Sequence, residues 1–341
     1  QTPGAIVKDL IENNIDANAK NIKLIVKDAG KESITVIDDG VGMDKEDIKK
    51  CFLRHSTSKL KVAEDLYKIK TMGFRGEALS SISSVAELRI KSKTKTCKIG
   101  NEIVIKDSKV LEEKKSDIQS GTIINVKNLF FNIPARRNFL KSNNVELRHI
   151  FDEFIRSALS NHKVNFILIN EEAEVFNLKE SNLKKRITEI FRKGYEKKVI
   201  QCNEEFDGIN IIGYIGKPEN SKKTRGEQFL FVNNRFVKST YIGHAIYKSY
   251  EGLIDEKKYP FYIIFINLDT SKVDINIHPT KTEIKFEDEK LIYSLVNSSV
   301  RKTIDKYNIS PSINFDADVN FLKEAVSTCL LYTSDAADDL L

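Results

Sequence analysis

No stretch of this 341-residue chain reaches the roughly 18 consecutive apolar residues that a membrane span needs; the best run, residues 259–268, is the length of a strand. Neither a basic nor a strongly apolar leader stands at Gln1, so no signal peptide is expected. The four cysteines (Cys51, Cys97, Cys202 and Cys329) lie far apart with no C-x-x-C pair. That argues against a zinc site and suits a reducing compartment. The expectation is a soluble, intracellular protein with no membrane partner. There is no G-x-x-x-x-G-K-[ST] and no G-x-G-x-x-G after a strand, which excludes a P-loop and a Rossmann site. No internal repeat is visible, and the spacing of acidic residues around 38–42 does not make an EF-hand.

What is present is an ordinary globular balance, 40% hydrophobic and 30% charged, on a chain long enough for two cored domains. The net charge is +6, and of the 55 bases only 12 are arginine. Lysine is a flexible point charge suited to loose phosphate contact rather than to reading base edges. The excess is compatible with nucleic acid and equally with a solvated lysine-rich surface.

Residues 3–18 read as a helix, with Pro3 near its start where a missing N–H does no harm. Ile6, Val7, Leu10, Ile11 and Asn14 gather on one side of it, and Asp9, Glu12, Asn13 and Asp16 form a stripe opposite. Strands are expected at 22–26, 33–37, 87–93, 102–106, 122–126 and 165–169, and helices at 45–53 and 146–159. A loop at 54–59 and a loop entering a helix at 73–84 interrupt the pattern. The basic stretch 184–198 is expected to carry the chain between domains. Beyond it, strands at 209–214, 228–232 and 261–268 bracket a helix near 241–250. The mixture gives an α/β or α+β class.

Three short constellations carry chemistry. Asp9 and Asn13, four residues apart, stand one above the other on a helix, where a carboxylate can polarise a water and an amide oxygen can offer Mg²⁺ one ligand. The same pair also makes an ordinary solvated helix face. Asp38, ending a strand before Gly40 and Gly42, can accept from an exocyclic amine, although D-D-G is also common turn chemistry. The G-F-R-G-E-A-L run at 73–79 places glycines before a helix, a cradle for phosphate, with hydroxyls and a cation at 54–59 nearby; each alone is also a polar surface loop.

Taken in order, I-V-K-D-L-I-E-N-N-I-D-A at 6–17, D-D-G-V-G at 38–42, R-H-S-T-S-K at 54–59 and G-F-R-G-E-A-L at 73–79 resemble the Bergerat ATP-binding fold of the GHKL superfamily. The wording is nearest to the MutL family of DNA mismatch repair ATPases. G-T at 121–122, L-F-F-N-I-P-A-R-R at 129–137, F-V-N-N-R at 231–235 and D-I-N-I-H-P-T-K at 274–281 extend the resemblance from about 3 to 309. It implies an α+β chain: a Bergerat-type α/β sandwich ATPase domain over 1–195, a smaller β-α domain of the ribosomal-protein-like fold over 196–310, and a disordered or partly non-native tail over 311–341.

The resemblance also implies roles and cofactors, ATP and Mg²⁺. Asn13 would hold the metal and Asp9 would be the general base. Asp38 would hold the adenine amine, with Gly42 beneath the ring and Thr122 assisting. Thr57, Ser58 and Lys59, with Gly73, Phe74, Arg75, Gly76, Glu77, Ala78 and Leu79, would form the lid over the phosphates. Lys281, aimed by the rigid turn at His278-Pro279, would reach the γ-phosphate from the second domain. Implied partners are DNA, held nonspecifically through its phosphates, a mismatch-recognition protein, a downstream nuclease or helicase, and a second copy or a paralogue in an ATP-dependent dimer. The location would be cytoplasmic and nucleoid-associated in a bacterium, nuclear in a eukaryote. Lys222, Lys223 and Arg225 are one candidate basic loop, or simply a solvated one.

Two departures stand out. The family's general base is a glutamate, whereas Asp9 is a methylene shorter, which leaves its carboxylate roughly 1–1.5 Å further from the water, a misplacement worth on the order of 10²-fold in rate. Glu12, three residues on, is a conceivable substitute. A non-hydrolysing, ATP-dependent DNA-binding scaffold is therefore a second reading. Other GHKL proteins, such as topoisomerase subunits, chaperones and histidine kinases, are disfavoured by N-x-P-A-R-R. The family also carries an N-terminal arm and a C-terminal dimerisation domain that this sequence does not contain.

Overall fold

Helix α1 (Pro3–Asp16) opens on Thr2, whose hydroxyl accepts from the Ala5 N–H at 3.2 Å, with Pro3 at the first turn. Its buried residues include Ile6, Val7, Leu10, Ile11 and Asn14, the face expected from their spacing. The computed structural model describes residues 2–53, 77–191, 194–274 and 284–309.

Behind α1 lies an eight-stranded sheet. It comprises β1 (Asn21–Lys27), β2 (Ser33–Asp38), β3 (Glu87–Lys93), β4 (Gly100–Lys106), β5 (Lys109–Ser116), β6 (Gly121–Lys127), β7 (Asn165–Asn170) and β8 (Ala173–Leu178), in the order β5-β4-β3-β6-β2-β1-β7-β8. Neighbours run antiparallel except β1 and β7, which are parallel. One face of the sheet contributes Leu24, Val36, Leu88, Ile124 and Phe166 to the core, where they meet α1 and the long helix α5 (Asn143–Ser160). Short helices α2 (Lys45–Lys50), α3 (Ala78–Ser83) and α4 (Pro134–Asn138) close the connections.

The basic stretch 184–198 is not a bare connection. It folds into α6 (Leu183–Phe191) and α7 (Tyr195–Lys198), and Arg186 within it is fully buried. The Arg186 guanidinium donates to the carbonyls of Ala158 (2.7 Å), His162 (3.0 Å), Val164 (2.9 Å) and Lys179 (3.0 Å). A cation placed where α5 ends satisfies carbonyls that the helix leaves without partners. Desolvation lowers its pKa, offset in part by Glu189.

A five-stranded sheet follows: β9 (Val199–Phe206), β10 (Ile209–Gly216), β11 (Gln228–Val232), β12 (Arg235–Val237) and β13 (Tyr262–Asn267), ordered β12-β11-β13-β10-β9. Both of its faces are covered. Phe229, Phe231, Ile263 and Phe265 join the first core, while Leu230, Val232, Ile264 and Ile266 pack on α8 (Thr240–Lys248) and α9 (Glu289–Ile309). Burial on both faces explains why 259–268 reads as an unbroken apolar run. A small ribbon, β14 (Val273–Asp274) with β15 (Lys285–Phe286), leads into α9. No helix or strand is expected from the sequence after 268, yet Ile292, Val296, Val300 and Ile304 bury one stripe of α9 at four-residue spacing. Among the described residues no helix is long and apolar enough to cross a membrane.

Candidate nucleotide site

The end of β2 carries Asp38, which is 8% exposed. Its strand pairs it with Thr122 on β6, and β6 in turn pairs Thr122 with Ser92 on β3, so three polar side chains form a row across adjacent strands. Within that row Ser92 Oγ and Thr122 Oγ1 are 2.9 Å apart, and Ser92 Oγ lies 2.9 Å from the Gly121 carbonyl. Ser92 Oγ also accepts from the Met43 N–H at 2.8 Å, which fastens the glycine loop after β2 onto the sheet.

The Asp38 carboxylate is well supplied with donors. Oδ1 accepts from the Gly40 N–H at 2.8 Å. With the Asn14 amide oriented so that its nitrogen faces acceptors, it donates to Asp38 Oδ2 and to the Leu10 carbonyl, each at 3.1 Å. Burial pushes the Asp38 pKa up to about 6, helped by the neighbouring Asp39 and opposed by the backbone N–H groups of Gly40 and Thr122.

The two aspartates of the D-D-G turn have different tasks. Asp39 Oδ1 accepts from the Lys20 and Asn21 N–H groups, both at 2.8 Å, and Oδ2 accepts from the Asn21 amide at 2.6 Å. Partial desolvation raises its pKa, but these donors outweigh that and hold it below the usual carboxylate range. Asp39 locks the corner between α1 and β1, whereas Asp38 faces the Asn14 amide and the Gly40 N–H.

Two glycines are required by crowding. Gly42 has φ +71, and a Cβ there would lie 2.2 Å from the Lys93 carbonyl oxygen. At Gly121, with φ +130, a Cβ would lie 2.1 Å from the Asp38 carbonyl oxygen. Both positions press the backbone against the rim of the Asp38–Thr122 row, where no side chain fits.

Along the other side of α1, Asp9, Glu12, Asn13 and Asp16 are half-buried rather than fully solvated. Glu12, with Lys8 3.9 Å away, lines a small cleft shared with α5 and β12. Glu77 sits at the cap of α3, and Leu79 is buried in the core. Thr57, Ser58, Lys59, Gly73, Phe74, Arg75, Gly76 and Lys281 lie outside the described residues.

Ser92 and the polar role of Asn14 have no motif to announce them. Asn14 shares the spacing of apolar neighbours, and a lone asparagine on a core-facing stripe is the available signal. The candidate DNA-facing loop is also reassigned in part. Lys222 Nζ donates to Tyr195 Oη (2.7 Å) and Glu227 Oε1 (2.6 Å), and Arg225 lies over the Tyr259 ring at 4.5 Å, so both side chains are engaged within the protein.

Residues 2–130 match the family model described as histidine kinase-, DNA gyrase B- and HSP90-like ATPase, and residues 187–305 match DNA mismatch repair protein, C-terminal domain. The chain is 46% identical over 318 residues to the DNA mismatch repair protein MutL of Christiangramia forsetii, covering 93% of this chain and 52% of that one. It is 48% identical over 320 residues to the MutL of Flavobacterium psychrophilum, covering 94% and 52%. It thus spans about half the length of these curated relatives. Among solved structures, the Aquifex aeolicus MutL ATPase domain complexed with ADP superposes with a TM-score of 0.62 at 26% identity, covering 87% of this chain and 97% of that one. The N-terminal domain of a DNA repair protein, at 24% identity and TM-score 0.77, covers 89% and 95% and has the same fold.

Proposed function

The chain belongs to the MutL family of DNA mismatch repair proteins, and from that premise we propose that it binds Mg²⁺-ATP, hydrolyses it slowly, and uses the nucleotide to gate assembly of a repair complex. Residues 1–195 would be the ATPase domain and 196–310 the domain that reads its state, with 311–341 a tail. The observation that carries the reading is Asp38: a buried carboxylate at a strand end, supplied with donors and flanked by the Ser92–Thr122 hydroxyls. Such a group is a preorganised acceptor for an exocyclic amine, and the crowded glycines beside it let a flat ring approach backbone.

Asp38 would take the adenine amine, Thr122 would assist, and Gly42 would lie beneath the ring. Asn13, half-buried on α1, offers a neutral oxygen fitting Mg²⁺, which takes the rest of its shell from phosphate and water. When bound, the metal would neutralise phosphate charge. One turn before Asn13, Asp9 would accept the proton of the attacking water. Residues 57–59 and 73–79 would close over the phosphates through backbone N–H groups, hydroxyls and cations, and Lys281 would reach the γ-phosphate.

Closure would let two chains associate, as a homodimer or with a paralogue, and engage DNA through its phosphates. The partners would be a mismatch-recognition protein and a downstream nuclease or helicase, in the cytoplasm at the nucleoid. The test is Mg²⁺-dependent ATP binding and turnover for the wild type, Asn13→Ala and Asp38→Ala. Wild-type binding that Asp38→Ala abolishes supports the assignment. Equal binding by all three overturns it.

A further inference from the structure

The F-V-N-N-R motif at 231–235 has no role in the nucleotide site, yet the structure places its last residue against the helix that carries Asp9 and Asn13. We propose that Arg235 is a positioning residue for ATP hydrolysis: it anchors α1 to the second sheet and so fixes where Asp9 and Asn13 stand. The proposal rests on the ATPase reading above.

The hairpin that delivers Arg235 is sharply defined. Asn233 and Asn234 adopt φ +47 and +64 between β11 and β12, so Arg235 pairs directly with Val232. This is the two-residue turn whose twist suits antiparallel strands, and asparagine tolerates it. The turn leaves little freedom in where the Arg235 side chain begins. Arg235 lines the same cleft as Lys8 and Glu12, and the residue is only 8% exposed.

Two attachments hold the hairpin in place. The Arg156 guanidinium of α5 lies 4.1 Å over the Phe236 ring, with Glu153 paired to the same arginine. On the α1 side, Arg235 lines that one cleft with Lys8 and Glu12, and the negative charges of Glu12 and Asp16 partly offset the lowering of its pKa by burial. Glu12 follows Asp9 by three residues and Asp16 follows Asn13 by three, so each carboxylate is a helix neighbour of one group in the nucleotide site. A shift of the second sheet would therefore pass through Arg235 into the turn of α1 that presents base and metal ligand. A displacement of about 1 Å there is enough to cost on the order of 10²-fold in rate. Lysine would be a poor replacement, because a flexible, strongly hydrated point charge does not fill a buried cleft as a planar guanidinium does.

The experiment is steady-state ATP hydrolysis by the wild type, Arg235→Ala, Arg235→Lys, Glu12→Gln and the Arg235→Ala/Glu12→Gln double variant, with melting temperatures alongside. Arg235→Ala is expected to lower kcat by about tenfold or more with KM for ATP within about threefold, lysine to restore less than half, and the double variant to be no slower than Arg235→Ala alone. An unchanged kcat overturns the proposal, as does a loss shared equally by kcat and KM that tracks a lowered Tm. Should the wild type not hydrolyse ATP, the ATPase reading fails by itself. The anchor is then judged by amide exchange over residues 9–16 without nucleotide, which Arg235→Ala should accelerate; unchanged exchange overturns it.

Discussion

The Asn14 amide nitrogen stands 3.1 Å from Asp38 Oδ2, so the buried face of α1 is tied by a polar bond to the end of β2. The helix and the strand that carry the proposed metal ligand and adenine acceptor are thus fixed relative to one another beneath the site. An apolar residue at position 14 would pack as well, but it would leave a buried carboxylate oxygen short of a donor.

Replacing Asp38 with asparagine separates binding from stability. The amide keeps an oxygen for the Gly40 N–H, and Asn14 can turn over to accept from the new nitrogen. At pH 7 the desolvation of a buried charge disappears, so the nucleotide-free Tm should hold or rise. ATP affinity should fall by about 10- to 100-fold, the worth of one buried hydrogen bond to a charged group. Fluorescent-nucleotide titration and a thermal melt read the two effects, and parallel losses in both would refute the assignment.

The same carboxylate predicts a pH dependence. Its pKa is about 6 in the folded chain against an ordinary value of 3.8, so between those values the folded state holds the extra proton. Its contribution to folding stability is therefore fully present below 3.8 and lost as pH rises through about 6. Nucleotide binding has the opposite preference, because it needs the ionised form. Affinity should be flat from pH 7 to 8 and weaken by about tenfold per unit below 6, with proton release on binding near pH 6. Asp38→Asn should bind weakly at every pH, without that slope.

Arg186 should prove to be a stability residue. Its guanidinium serves four carbonyls at the junction of α5, β7 and β8, and the Ala158 bond among them is buried. Arg186→Ala should cost roughly 3 kcal/mol or more in denaturant unfolding, and lysine, which lacks the fork, should recover little. A loss below about 1 kcal/mol would mean that water replaces the guanidinium at no great cost.

How legible the chain is depends on burial. The strands expected at 33–37, 87–93 and 228–232 fall within a residue of β2, β3 and β11, because each buries alternate residues or both faces. The edge strands β5 and β8 are not expected: Lys109–Ser116 is exposed for all but its last residue, and Ala173–Leu178 is mostly exposed, so neither shows an apolar period. Composition makes 184–198 look like a linker, and only tertiary contact shows that Arg186 is buried. Within the proposed site, Asp9, Asn13 and Asp38 can be nominated from sequence because their spacing is local to one helix or one turn. Ser92 is not, since its meaning arises from strand pairing with Thr122, thirty residues away.

Asp9→Glu bears most directly on turnover. The backbone of α1 is set by Thr2, Pro3, the five core-facing residues and the Asn14–Asp38 bond, none of which touches the length of the side chain at position 9. A glutamate there should extend its carboxylate toward the water without moving Asn13 or Asp38. The expected outcome is a kcat raised by about 10- to 100-fold with ATP affinity within about threefold of wild type. Asp9→Ala should abolish turnover and spare binding. If the glutamate variant gains nothing while the wild type turns over measurably, the site has already adjusted to the shorter acid. The Arg235 anchor on the same helix, three and seven residues further along at Glu12 and Asp16, is then the place to look for that adjustment.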